Sequence, residues 1–248
     1  MIINCDIGER GSQHPTDLEL MNHIGMANIA CGGHAGDEES IAVFSRIAQE
    51  KGLQIAAHLA YPDRLNFGRV SMTIAVKELL ADLDRQLALS VEQSRVKLHG
   101  ALYNDCNVNG LLAREIAVWL HSSNIREVVT PFDSALADAC QELGLAVCAE
   151  AFAERRYNWL PERGQLVLVS RNKHYASIHE VDEALEHSRK IIVEQCIDAV
   201  VEHEDGTQST SSRPMLAKTL CIHSDSEIAL PLASGLALLL RQHQGCMP

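Results

Sequence analysis

The chain has 248 residues, 46% hydrophobic and 22% charged, with a formal net charge of -12 from 33 acidic against 21 basic residues. That composition is ordinary for a globular protein, and the acidic balance excludes the broad basic face of a nucleic-acid binder. The length suits a single α/β barrel, and aromatics at 4% leave the core to be built from Ala, Leu, Ile and Val.

Short apolar runs alternate with segments of helical period along the chain. Met1–Cys5 precedes helical Thr16–Ile24, and Met26–Ala30 precedes Glu38–Lys51, with Ile41, Phe44, Ile47 and Ala48 on one face. Leu53–Ala57 leads through a long loop to Met72–Gln93, whose Val76, Leu79, Leu80, Leu83 and Leu87 fit a 3.6 period. Arg95–Leu98 leads to Val108–His121, and Glu127–Thr130 to Asp133–Leu143. Leu145–Ala149 leads through a second long loop to Glu180–Glu194, and Lys218–Ile222 to Glu227–Gln242. Seven strand–helix units with no linker between them predict one domain over 1–248, with a mainly parallel sheet covered by helices. The Ser/Thr-rich segment Glu204–Pro214 reads as a mobile loop, a lid or a docking surface.

An open doubly wound sheet and a closed barrel differ in where polar residues fall. In a barrel they collect at the C-terminal ends of most strands. Here the ends read NCDIGE, CGGHAGD, HLAYPDR, KLHGALYN, TPFD, AEAFAERRY and CIHSD. Residues i and i+2 share a strand face, so Asn4 with Asp6, Lys97 with His99, and His223 with Asp225 each point two polar groups into one space. Unpaired burial would cost roughly 1–3 kcal/mol per group, so these residues predict a hydrogen-bonded site at a barrel mouth. His34, His58, His99 and His223 recur at this level beside Asp6, Glu9, Asp37, Asp63 and Lys97, an acid–base or metal constellation.

Several chemistries lack their signatures. There is no HxxxH or HExxH, so no helix presents two histidines to a metal, and an acid–base site is preferred to a metal site assembled from separate strands. GxxxxGK[ST], GxGxxG and GxSxG are absent, which leaves the backbone amides of Gly32–Gly36 as the expected cradle if a nucleotide binds. Eight cysteines without CxxC read as reduced thiols. MIINCDIGE has no signal-peptide character, and Ile228–Leu240 is too short and interrupted to span a bilayer, so a cytoplasmic location is expected, with no membrane partner.

The blocks INCDIGE, ANIACGGHAGD, AHLAYPDRLNFGR, VKLHGALYN, EAFAERRY and TLCIHSD, in this order and spacing, resemble the LamB/YcsF family from Ile3 to about Leu230. The resemblance implies a seven-stranded parallel β/α barrel, a distorted TIM-like fold related to polysaccharide deacetylases. It also implies opening of the cyclic amide of 5-oxo-L-proline to L-glutamate with hydrolysis of ATP, magnesium accompanying the nucleotide, in a complex with 5-oxoprolinase subunits B and C. On that reading Asp6 is a general base or water-orienting carboxylate with Glu9 beside it. His34, His58 and His99 are acid–base groups or polarise the ring carbonyl. Lys97 offsets developing negative charge, or forms a buried ion pair with Asp6 or Glu150. Asn4, Asp37, Asp63, Arg155, Arg156 and His223 are substrate-binding candidates, one arginine gripping the substrate carboxylate and the other lying on a solvated loop face. The alternatives are a metal-dependent amide hydrolase and a non-catalytic partner-binding subunit. The chain departs from the family pattern at Leu59 and Leu98, where prolines are usual, and at Gly33, Glu154 and Ser224, in place of phenylalanine, aspartate and glycine.

Overall fold

In the computed structural model, which describes residues 1–203 and 205–245, all seven expected strands line up in one closed parallel barrel. They are β1 (Ile2–Ile7), β2 (Met26–Ala30), β3 (Gln54–Leu59), β4 (Arg95–Leu98), β5 (Glu127–Thr130) and β6 (Ala146–Phe152), closed by the last strand of the chain. Between β6 and that strand come β7 (Tyr157–Leu160), β8 (Gln165–Leu168), β9 (Cys196–Glu202) and β10 (Gln208–Pro214), before β11 (Thr219–His223) completes the ring. The barrel order is β1-β11-β6-β5-β4-β3-β2, and β10-β9-β7-β8 forms a separate four-stranded sheet.

The covering helices are α1 (Pro15–Leu20), α2 (Glu38–Lys51), α3 (Val76–Leu89), α4 (Gly100–Val108), α5 (Gly110–Ser122), α6 (Ala135–Glu142), α7 (Val181–Arg189) and α8 (Ala229–Gly245). Their apolar stripes are the ones the 3.6 period marks: Ile41, Phe44 and Ala48 of α2 and Leu79, Leu83 and Leu87 of α3 are buried in the core. Along β1, Ile3, Cys5 and Ile7 join that core, while Asn4 and Asp6 turn into the barrel lumen. None of the helices of the described residues is long and apolar enough to cross a membrane.

The structure departs from the sequence reading in three places. The helix expected over Val108–His121 is α5, but an unexpected helix, α4, starts directly after β4 and precedes it; Asn109 separates the two and caps α5, accepting hydrogen bonds from the Leu111 and Leu112 amides. The segments after β6 and before β11, expected as loops, carry the four-stranded sheet. Glu204–Pro214, expected to be mobile, is strand β10 from Gln208 onward, paired antiparallel with β9; Glu204 itself lies outside the described residues. Because β10 is exposed on both faces, its backbone ladder to β9, not apolar burial, defines it, and it lacks the alternating pattern that marks a strand in sequence.

Candidate active site

The lumen of the barrel holds a charged network around Lys97. Its Nζ lies 2.9 Å from both Asp6 Oδ1 and Glu150 Oε1, 3.2 Å from Asn4 Oδ1 and 3.0 Å from Cys221 Sγ. Asn28 Nδ2 donates to Asn4 Oδ1 and Asp6 Oδ1 at 2.7 and 2.9 Å, and Tyr103 OH donates to Glu150 Oε2 at 3.0 Å. Burial alone would push the Lys97 ammonium down, but the facing carboxylates, Asp6 foremost, hold it well above its ordinary value. Burial would likewise raise Asp6, and His58 and Lys97 outweigh it and keep the carboxyl well below its usual range. The Lys97 donors are taken up by lumen residues. Lys97 thus forms the buried ion pair of the sequence reading, with both Asp6 and Glu150.

One layer further toward the strand ends, Glu9, His34, His58 and His99 converge. Glu9 Oε1 is 2.8 Å from His34 Nε2, 3.4 Å from His99 Nδ1 and 3.7 Å from His58 Nε2. His58 Nε2 faces His99 Nδ1 at 3.0 Å and Asp6 Oδ2 at 3.3 Å, and the His34 and His99 rings stack with centroids 3.6 Å apart. Burial, with the Asp6 charge adding to it, pushes the Glu9 carboxyl up to about 7. Burial pushes His34 down to about 3, and burial with the adjacent His34 and His58 holds His99 well below its ordinary value.

The loop after β3 folds over this cluster. Phe67 stands edge-on to His34 and His99, and its carbonyl accepts from His99 Nε2 at 3.1 Å. That placement requires Phe67 at φ 55, a left-handed conformation costly for a non-glycine residue. It also requires glycine at 68 and 100. Both have positive φ; a Cβ at Gly68 would lie 2.9 Å from the His34 Cβ, and one at Gly100 would meet the Gly68 carbonyl. The two glycines let this loop press onto the end of β4.

A cavity of about 490 Å³ opens above Asp6, Lys97, His58 and His99. Phe152, the β7–β8 hairpin and the segment through Arg171 wall it, with Arg69, Arg155, Arg171 and His223 among the lining residues. Arg155 is buried and donates from Nε to the Ala176 carbonyl at 3.1 Å and from one terminal nitrogen to Val169 at 2.6 Å. Burial, with Arg171 nearby, pushes its guanidinium down to about 10. His223 stacks on Phe152, with Nδ1 2.5 Å from Glu154 Oε1 and Nε2 3.3 Å from Arg171. Arg69 pairs with Asp225 at 2.7 Å.

Four substrate-binding candidates lie elsewhere. Asp37 is exposed and caps α2, accepting from the Ser40 amide at 2.8 Å, because its position after a glycine loop is a helix N-cap. Asp63 ties the Tyr61–Arg69 turn by accepting from Asn66. Arg156 forms a surface ion pair with Glu183, the solvated half of the arginine pair. Asn4 is sealed in the lumen, donating to Thr219 Oγ1. The Gly32–Gly36 loop is no open cradle: Gly32 closes on the Ala35 carbonyl, and Arg64 holds the Gly32 and Gly36 carbonyls. Sequence reasoning missed Asn28, Tyr103, Arg69 and Arg171 and gave Glu150 only as an ion-pair partner. Asn28 is the lone polar residue inside the apolar strand Met26–Ala30, a signal of an inward-facing site residue, whereas the two arginines sit on loops without periodicity.

The sequence profile of the LamB/YcsF family matches residues 1–246. The A subunit of 5-oxoprolinase from Natranaerobius thermophilus is 32% identical over 253 residues, covering 97% of this chain and 93% of that protein. The same-named protein of Chloroflexus aggregans is 36% identical over 250 residues, covering 94% and 92%. Among solved structures, the lactam utilization protein from Thermus thermophilus superposes with a TM-score of 0.79 at 27% identity, covering 98% of this chain and 97% of that one.

Proposed function

The chain belongs to the LamB/YcsF family, and from that premise we propose that it is the A component of an ATP-dependent 5-oxoprolinase, opening the lactam ring of 5-oxo-L-proline to L-glutamate. The observation that carries this reading is the cavity, in which Arg155 and Arg171 face the Asp6–His58–His99 floor. A small cyclic amide bearing one carboxylate matches that polarity: a guanidinium fork holds the carboxylate, and the scissile amide lies over the floor.

Each floor residue then has a role consistent with its surroundings. Asp6, kept ionised by His58 and Lys97, orients the attacking water through Oδ2, beside His58 Nε2 at 3.3 Å. His58 and His99 form the floor under the ring, with His34 and Glu9 behind them. A five-membered lactam is an unreactive amide, so phosphorylation of its carbonyl oxygen by ATP, with magnesium, makes C–N cleavage feasible. The lining residues Asn107, Ser134 and Gln165 add polar groups that a lactam alone does not need. The relatives are named as one lettered component of 5-oxoprolinase, which supports a multi-subunit enzyme, with subunits B and C as the partners.

The test is glutamate release from 5-oxo-L-proline and ATP by the chain alone, with subunits B and C, and as Asp6→Asn in the assembled complex. Release only by the complex, lost with Asp6→Asn, is the expected result. No release from an assembled complex overturns the substrate assignment, and undiminished release with Asp6→Asn overturns the placement of the chemistry in this barrel.

A further inference from the structure

We propose that Glu9, His34, His58 and His99 form a binding site for one divalent transition-metal ion of the zinc class. The argument begins with where the imidazole protons sit. His58 Nδ1 lies 3.2 Å from the Lys97 carbonyl, and His99 Nε2 lies 3.1 Å from the Phe67 carbonyl. A carbonyl oxygen only accepts, so each of these nitrogens carries its ring's proton, and the opposite nitrogen of each neutral ring is a bare lone pair. Those two lone pairs, His58 Nε2 and His99 Nδ1, face each other at 3.0 Å. Two lone pairs at that distance, with Asp6 Oδ2 3.3 Å and Glu9 Oε1 3.7 Å from His58 Nε2, repel unless a positive charge, a further ring proton or an ion, is held among them. Fixing one ring N–H on a backbone carbonyl while the other nitrogen points at a shared centre is how proteins orient metal-binding histidines.

A single shared proton would satisfy two nitrogens on one line, but here four donor atoms converge. The Glu9 oxygen and the three imidazole nitrogens all lie within 4.8 Å of one another. Four of their six separations, 2.8, 3.0, 3.4 and 3.7 Å, scatter about the edge of a tetrahedron around zinc, roughly 3.3 Å for bonds of about 2.0–2.1 Å. Three imidazoles and a carboxylate are the donor set of borderline divalent ions, not of magnesium or calcium, which take oxygen.

The neighbouring group of Asp6, Cys221 and His223 also brings three ligand atoms together. Its cation is already present: Lys97 Nζ sits 2.9 Å from Asp6 and 3.0 Å from Cys221. No lysine or arginine contacts Glu9 or the three histidines among the hydrogen bonds and ion pairs of the described residues, so the cationic place there is open to an ion. The site stands independently of the substrate, because it rests on the ligand geometry alone.

The experiment uses the full chain, stripped with a chelator, dialysed and titrated with zinc chloride, with elemental analysis after a second dialysis and a thermal melt with and without zinc. One zinc per chain and a raised Tm are expected. Glu9→Gln, which keeps the side-chain shape, and His58→Ala should each weaken binding by more than the roughly 100-fold typical of losing an outer partner, while His187→Gln leaves it unchanged. A folded wild-type chain that takes up no zinc overturns the proposal and leaves a shared proton between His58 and His99. Stoichiometric zinc that survives both Glu9→Gln and His58→Ala places the ion elsewhere and overturns it equally.

Discussion

The side-chain amide of Gln86 occupies the place where a side chain at Gly33 would begin: a Cβ there would lie 2.6 Å from the Gln86 Cδ and Nε2. Gln86 is fixed in that position. Its Nε2 donates to the Ala60 carbonyl at 2.8 Å and to Asp82 at 2.6 Å, and its Oε1 accepts from the Ala60 amide at 3.0 Å. Gln86 thus fills the space that a side chain at position 33 would need, and it fastens the chain just after His58.

That shared space predicts strong coupling. Gly33→Phe should destabilise the chain by overpacking, about 1–3 kcal/mol or more, since Gln86 has hydrogen bonds to lose as it moves. Combining it with Gln86→Ala should recover part of the loss, giving an interaction energy within roughly 0.5–3 kcal/mol in a double-mutant cycle followed by urea unfolding. Strictly additive effects would show that the two positions do not share this space.

Lys97 lies between two buried carboxylates, Asp6 and Glu150, each 2.9 Å away. Lys97→Met keeps much of the apolar stem but leaves both acids in the lumen without their cation. A loss of about 3–5 kcal/mol in unfolding free energy is expected, because an uncompensated buried charge is costlier than the net worth of the pair it leaves. A second substitution, Glu150→Gln, removes one of the stranded charges and should restore part of that stability. Calorimetry or urea unfolding of the three proteins decides it, and a Lys97→Met chain as stable as wild type would refute the account of the lumen.

How much of this was legible beforehand follows from how each group sits on its element. The barrel strands end in polar residues while the rest of each strand is apolar, so Asp6, His58, Lys97 and His99 stand out at regular places. Asn28 and Glu150 are single polar residues inside apolar strands, and nothing in a linear pattern tells which neighbour will satisfy them across the lumen. Asp37 and Arg156 share motifs with His34 and Arg155, yet one caps a helix and the other reaches solvent, a difference set by backbone direction after the strand end. Strands β7 to β10 escaped notice because they are short or exposed, and it is the β7–β8 hairpin that walls the cavity.

The arginines of the cavity should separate in kinetics. Arg171 is at the mouth, touching His223, so Arg171→Gln should raise KM for 5-oxo-L-proline about tenfold, one lost charged contact, with little change in kcat. Arg155 also ties the Val169 and Ala176 carbonyls, so Arg155→Gln should lower kcat as well by loosening that wall. Steady-state rates of the reconstituted complex measure both. Unchanged KM in Arg171→Gln would remove the carboxylate from that end of the cavity.

Acid sensitivity has a source away from the site. His187 of α7 packs against Tyr157 with Nε2 3.3 Å from the Phe152 carbonyl, and burial pushes its imidazole down to about 4. Arg156 lowers it further, while the Phe152 hydrogen bond, Glu154 and Asp198 act the other way. The folded value lies below the unfolded value of about 6.5, so the unfolded chain binds the proton first as pH falls. The stabilising contribution is complete above about pH 6.5 and is lost as pH falls through that range toward about 4. Between pH 7 and pH 5 this amounts to about 2 kcal/mol. His187→Gln carries no titrating group, so its unfolding free energy should fall less than that of wild type over the same interval. Parallel pH profiles for the two proteins would mean that His187 takes up its proton in the folded chain as readily as in the unfolded one.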